Sequence, residues 1–290
     1  MAQFDLIAMV DWSAAATPGP RRPSPDRCWI ATVRPGDAAP RADYFRTRHA
    51  AAARPEALLR AASGNVLVGF DFPFGYPAGS GLGGGRALAA RLAGLIEDAA
   101  DGANNRFAVA ARLNAALNGG RPGPFWGCPP AAEAPTLTAK KSGRRGGPFT
   151  DWRQADARLA GRLIQSCWKL YTRGSVGGQM LLGLPAVHRL LTHPGFGARC
   201  RLWPFETGWD ARLDGIVVAE IWPSLFAHDR VDHPIRDARQ VIAACAWLRA
   251  ADAAGRLRPV FARPADLDAD AAARCLAEEG WILGLGTGLA

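Results

Sequence analysis

The sequence predicts one α/β domain spanning residues 1–290: a mixed five-stranded sheet flanked by helices, with a large, mostly helical insertion at 76–214. Three observations carry that expectation. Apolar runs of strand length recur at 5–11, 28–35, 42–47, 66–71 and 215–222. Stretches suited to helices alternate with them at 54–62 and 236–254. Between 76 and 214 the regular alternation lapses, and Gly, Pro and Ala dominate its first half.

Taken in order, "DLIAMVD" (5–11) reads as a buried strand. "CWIATVRP" (28–35) and "ADYFRT" (42–47) follow it, split by the turn signal Pro35-Gly36-Asp37, and connections this short predict antiparallel pairing. "RPEALLRAA" (54–62) carries proline where the first turn of a helix tolerates it. "VLVGFD" (66–71) is apolar on both faces, as a central parallel strand must be. Inside the insertion, helices are expected at 86–100, 105–117, 153–168 and 179–191, with a glycine-rich basic loop at 139–148. The strand 215–222 and the helix 236–254 restore the α/β order.

Composition narrows the class. Apolar residues make up 49% and charged residues 21%, as in ordinary globular proteins, and no apolar stretch reaches the length of a membrane span. No basic region precedes an apolar one at the N-terminus, so no signal peptide is expected. Six cysteines lie far apart without a Cys-x-x-Cys pair, the usage of a cytoplasmic protein with reduced thiols. The net charge of +9 favours a phosphate-bearing partner. Most of that charge is arginine beside abundant alanine, which compositional bias also produces.

The chemistry lies in where the apolar runs stop. Asp11 and Asp71 end theirs, and Glu220 lies near the end of a third, flanked by Val217, Val218, Ile221 and Trp222. If these strands are parallel neighbours, the acids meet at one sheet edge, where open α/β sheets carry their sites. Asp237 shares a helix face with Val241, Cys245 and Leu248, which turns it towards the sheet. Clustered buried carboxylates repel one another, and a divalent cation removes that cost; an all-oxygen set suits Mg2+ or Mn2+. Each acid also has a plainer reading. Asp237 suits the start of a helix, Asp71 a turn before Phe72-Pro73, and Asp11 a loop hydrogen bond.

The order strand–Asp, two strands, helix, strand–Asp-x-Pro, insertion, strand–Glu-x-x-Pro, Asp-bearing helix resembles the DUF429 family of predicted nucleases with a ribonuclease H-like fold. The stretches that carry it are "VDWSA" (10–14), "GFDFPFGYP" (69–77), "GSVGGQMLLGLP" (174–185), "WPFETG" (203–208), "AEIWPSLF" (219–226), "RDARQVIAACAWL" (236–248) and "EEGWILG" (278–284). The resemblance implies a mixed sheet with metal-binding acids on its edge. It leads to the expectation of a metal-dependent phosphodiesterase or nuclease with Asp11, Asp71, Glu220 and Asp237 as ligands. Two alternatives stand beside it. One is a nucleotide-binding phosphotransferase or nucleotide hydrolase on the same core; the other is a non-catalytic nucleic-acid-binding protein.

For the substrate, Lys140, Lys141, Arg144 and Arg145 are expected to steer a nucleic-acid backbone. "GSVGGQ" (174–179), with Ser175, Gly177 and Gln179, is a candidate phosphate cradle at a helix start or a plain tight turn; it is not a Walker A loop. Trp12 and Trp126 are candidate base-stacking platforms. "HDRVDHP" (228–234) offers metal-ligand types but reads better as a solvated loop, and no Gly-x-Ser-x-Gly elbow exists.

Overall fold

The computed structural model describes residues 3–141, 149–159, 162, 164–172, 174–209 and 213–287. Six strands form one mixed sheet: β1 (Leu6–Asp11), β2 (Cys28–Val33), β3 (Arg41–Phe45), β4 (Val66–Phe70), β5 (Cys200–Trp203) and β6 (Ile216–Glu220). Their order across the sheet is β3-β2-β1-β4-β6-β5. The first three pair antiparallel, as their short connections require, while β1–β4, β4–β6 and β6–β5 are parallel.

Both sheet faces are covered, so the central strands are apolar throughout. Alternate residues divide between two cores. Leu6, Val10, Val66, Val68, Phe70, Ile216 and Val218 face one; Ile7, Met9, Leu67, Val217 and Ala219 face the other. The first core is roofed by α1 (Arg48–Ala61), α2 (Gly85–Ala93), α3 (Arg106–Leu117) and α5 (Val176–Leu191). The second is roofed by α6 (Arg236–Ala253), α7 (Ala269–Arg274) and the segment after it.

Four elements differ from expectation. The sheet has a sixth strand, β5, which lies within the stretch read as an insertion, so sheet structure resumes at Cys200 rather than at 215. Helix α1 begins six residues before the expected 54, capped by Thr47, whose hydroxyl accepts the Ala50 N–H at 3.2 Å. The alanine run ahead of Pro55 propagates the helix, and the proline is carried inside it. Helix α2 ends at Ala93, before Gly94, instead of running to 100. The helix expected over 153–168 contracts to α4 (Gln154–Ala157). Tertiary pairing prevails there: Trp126 donates to Trp168 O at 3.1 Å and Leu170 donates to Trp126 O at 2.9 Å, which requires extended backbone around 168–170. All six cysteines are buried free thiols. Among the described residues no helix is long and apolar enough to cross a membrane.

Candidate functional site

The C-terminal ends of β1 and β4 set the site. Val10 pairs with Phe70 across these strands, and the Asp71 N–H donates to Val10 O at 3.1 Å, which puts Asp11 and Asp71 side by side one residue further on. Their carboxyl groups are close enough to interact, and that contact raises the pKa of Asp11 and lowers that of Asp71. Burial first, then the charge of Asp71, holds Asp11 well above the usual carboxylate range. Burial also pushes Asp71 up to about 6, against hydrogen bonds from Asp11 and the Trp12 N–H (2.7 Å) that favour its charged form. The Gln179 side-chain amide reaches Asp71 Oδ2 at 3.5 Å and also donates to Trp12 O, tying helix α5 to the pair. No Lys, Arg or His forms an ion pair with either acid among the described residues.

Asp237 approaches from the first turn of α6. Its charge raises the pKa of both Asp11 and Asp71, and its Oδ2 accepts the Asp26 N–H at 2.7 Å. Asp11 and Asp237 open into a cleft of about 670 Å3, also lined by Ser13, Arg106, Ser175 and Gln179. Ligand sites typically fall between about 300 and 1,000 Å3.

Glu220 is elsewhere. In register it pairs with Phe70, one residue short of the row holding Asp11 and Asp71. The pleat sends adjacent residues to opposite faces, so Glu220 shares the face of Val218 and Phe70. There Arg153 grips it in a fork: Nη1 to Oε2 and Nη2 to Oε1, both at 2.7 Å. The same guanidinium binds Asp156 through Nε (3.0 Å) and Nη2 (2.9 Å) and donates to Glu279 O at 2.9 Å. Phe74 N–H lies 3.4 Å from Glu220 Oε2. Burial raises the Glu220 pKa, with Arg153 opposing it. Burial alone would lower that of Arg153, but Asp156 and Glu220 outweigh it and hold the guanidinium well above its ordinary value. Both oxygens of Glu220 are therefore engaged by a structural cation. The expected four-carboxylate centre does not assemble: among the described residues no group of three or more His, Cys, Asp or Glu side chains is placed to hold one metal ion.

The expected substrate contacts divide similarly. Ser175 and Gln179 line the cleft. Gly177 does not serve as a phosphate cradle: its N–H donates to Lys169 O at 3.1 Å, and an added Cβ would lie 2.3 Å from Cys167 O. Its glycine is a packing requirement. Lys140 is exposed, Lys141 ion-pairs with Asp151, and Arg144 and Arg145 lie outside the described residues. Trp12 is buried edge-on against Phe70 and Phe72, so it belongs to the core rather than to a stacking platform. Trp126 carries Lys169 over its ring at 5.7 Å. His233 packs on Trp29 and His228 bonds its local backbone, so neither histidine of "HDRVDHP" joins the site.

Two buried arginines escaped sequence reasoning, Arg153 and the cleft-lining Arg106. In a chain so rich in arginine neither stands out. For Arg153 the one signal was Asp156 three residues on, at the spacing of a helix-start pair. The chain matches no protein-family model, no curated protein and no solved structure.

Proposed function

We propose that the chain is a hydrolase of phosphate esters that works with a divalent metal ion at the sheet edge. More narrowly, we read it as a ribonuclease H-like phosphodiesterase or nuclease of the DUF429 kind, acting on nucleic acid or a related ester. The observation that carries this reading is the Asp11–Asp71 pair: two adjacent acids whose pKa values burial raises, without an ion-pair partner among the described residues, Asp11 lining a cleft. The element order supports the fold assignment. A strand ending in Asp11, two strands, a helix, a strand followed by Asp71, then β6 and an Asp237-bearing helix follow one another as the resemblance implies.

The residues present fit Mg2+ or Mn2+ in a reduced form. Mg2+ takes one or two carboxylates and keeps several waters, so Asp11 and Asp71 suffice as protein ligands without Glu220. A bound ion would supply an activated water and charge stabilisation for an in-line displacement. The chain's own contributions are distinct. Gln179 orients Asp71, the Trp12 N–H fixes its other oxygen, and Asp237 adds negative charge to the cleft wall while held by Asp26.

The test is a thermal melt with and without Mg2+ or Mn2+, followed by a hydrolysis panel of DNA, RNA, a small phosphodiester and nucleoside triphosphates. Metal should raise the melting temperature of the wild type and not of Asp71→Asn, and the diesters should be cleaved. Cleavage confined to triphosphates would transfer the site to nucleotide hydrolysis. Neither metal stabilisation nor turnover would leave a non-catalytic binding protein.

A further inference from the structure

The cleft that Asp11 lines also holds a buried cation without an ion-pair partner among the described residues. Arg106, the first residue of α3, is only 6% exposed and still lines the cleft. Its Nη1 donates to Asn104 Oδ1 at 2.8 Å, its guanidinium lies over Phe107 at 4.4 Å, and its buried Nε has no hydrogen-bond partner. Asp98, whose charge acts on it, is bound by Arg48 through Nε (3.0 Å) and Nη2 (2.5 Å). Burial, with Arg48 adding repulsion, draws the Arg106 pKa down to about 10, so it remains charged at neutral pH. Native proteins rarely bury an arginine with neither a carboxylate nor a full set of acceptors.

The amino end of α5 adjoins it. A Cβ built on Gly178 would lie 3.7 Å from Arg106 Nε, so the guanidinium stands beside the first turn of this 16-residue helix. The N-cap side chain of Ser175 does not cap that turn; it donates its hydroxyl to Thr172 O at 2.6 Å instead. The N–H groups of Val176 and Gly178 therefore lack intrahelical acceptors at the positive end of the helix dipole.

We propose that Arg106 and the first turn of α5 form a phosphate subsite that holds a phosphate group of the substrate in the cleft lined by Asp11. This rests on the reading of the cleft as the reaction site and adds the substrate class: a ligand bearing a phosphate besides the bond to be broken. The guanidinium gives a planar fork for two phosphate oxygens, and the helix start gives N–H donors and partial positive charge.

The experiment is calorimetric titration of the full chain with inorganic phosphate in EDTA at low ionic strength, then with a nucleoside monophosphate and its parent nucleoside. Wild type should bind phosphate and the monophosphate, and not the nucleoside. Arg106→Gln should weaken phosphate binding at least about tenfold, the loss expected for a charged hydrogen-bonding partner. Arg106→Lys keeps the charge, guards against a folding failure, and should show a smaller but measurable loss. Asp71→Asn should bind phosphate as well as or better than wild type. Absence of phosphate binding in wild type, equal binding by Arg106→Gln or Arg106→Lys, or equal binding of the nucleoside would overturn the subsite. No metal and no turnover enter this measurement, so failed hydrolysis leaves the subsite standing. Lost phosphate binding with hydrolysis intact removes the subsite alone.

Discussion

Replacing Glu220 with glutamine discriminates sharply between a metal ligand and a structural anchor. In the wild type Arg153 and Glu220 are 1% and 3% exposed and meet through two contacts of 2.7 Å. Glutamine keeps the volume but turns one of those oxygens into an N–H2 group facing a guanidinium N–H. One contact becomes donor against donor, and Arg153 loses one of its two neutralising charges. Removing one partner of a buried pair costs about 3–5 kcal/mol. Asp156 still binds Arg153, which places Glu220→Gln near the lower end. At about 2.1 cal/mol/K per residue, 290 residues unfold with roughly 0.6 kcal/mol/K of entropy, so a loss of about 3 kcal/mol should lower the melting temperature by roughly 5 °C. The assay is a pair of melting curves, wild type and variant, each in EDTA and in Mg2+. The fall should be the same in both. A melting temperature that holds or rises in EDTA, with the deficit appearing only when Mg2+ is added, would refute the anchor and return Glu220 to the metal site.

Three further outcomes are expected. Asp71 titrates at about 6 in the fold against an ordinary 3.8, so the neutral acid's contribution is complete below pH about 3.8 and is lost as pH rises through about 6. Metal-free wild type should therefore lose stability across that window, by about 3 kcal/mol at most, and Asp71→Asn should flatten the loss in pH-dependent denaturant titrations; an unchanged slope would mean Asp71 is not the group that titrates there. Gly177→Ala forces a methyl against two backbone carbonyls, Cys167 O at 2.3 Å and Lys169 O at 2.6 Å, and should destabilise by about 1–3 kcal/mol or more in chemical denaturation. Wild-type stability there would show that the helix start yields easily. Replacing Lys140, Lys141, Arg144 and Arg145 together with alanine should weaken nucleic-acid binding and flatten its salt dependence in fluorescence titrations, because fewer counterions are released; the same slope would assign them to solubility.

How far the sequence discloses this molecule depends on the scale of each signal. Strands β1, β4 and β6 are continuous apolar runs because both their faces are buried, and that is visible in any window. Strand β5 is four residues long, carries Arg201 and stops at Pro204, so its place in the sheet is settled by β6 beside it and not by its own pattern. The convergence of Asp11 and Asp71 was legible because each follows directly on a buried run, at matching distance from its strand's start. Glu220 follows the same pattern but falls one residue short in register, and register belongs to pairs of strands. A single residue of slip sends its carboxylate through the sheet to Arg153. Arg106 and Arg153 act through what surrounds them, which no spacing encodes.

The Arg153 network has a consequence for the order in which the chain assembles. It joins residues remote in sequence: Arg153 to Glu220, Gln154 to Glu279 at 2.6 Å, Ala78 to Glu279 at 2.9 Å, and Leu283 to Glu220 O at 2.9 Å. Asp237 likewise reaches the site from α6, long after Asp11 and Asp71 have been synthesised. Contacts of such separation form late, because the closure entropy of the intervening chain must be met first. During synthesis the hairpin strands β1 to β3 and then β4 can gather the two acids while one sheet face is still bare. The two acids gain Asp237 as a neighbour only when α6 arrives. Until then the pair lacks the charge of Asp237 that raises both pKa values, and the nascent chain holds the two carboxylates in an unfinished setting.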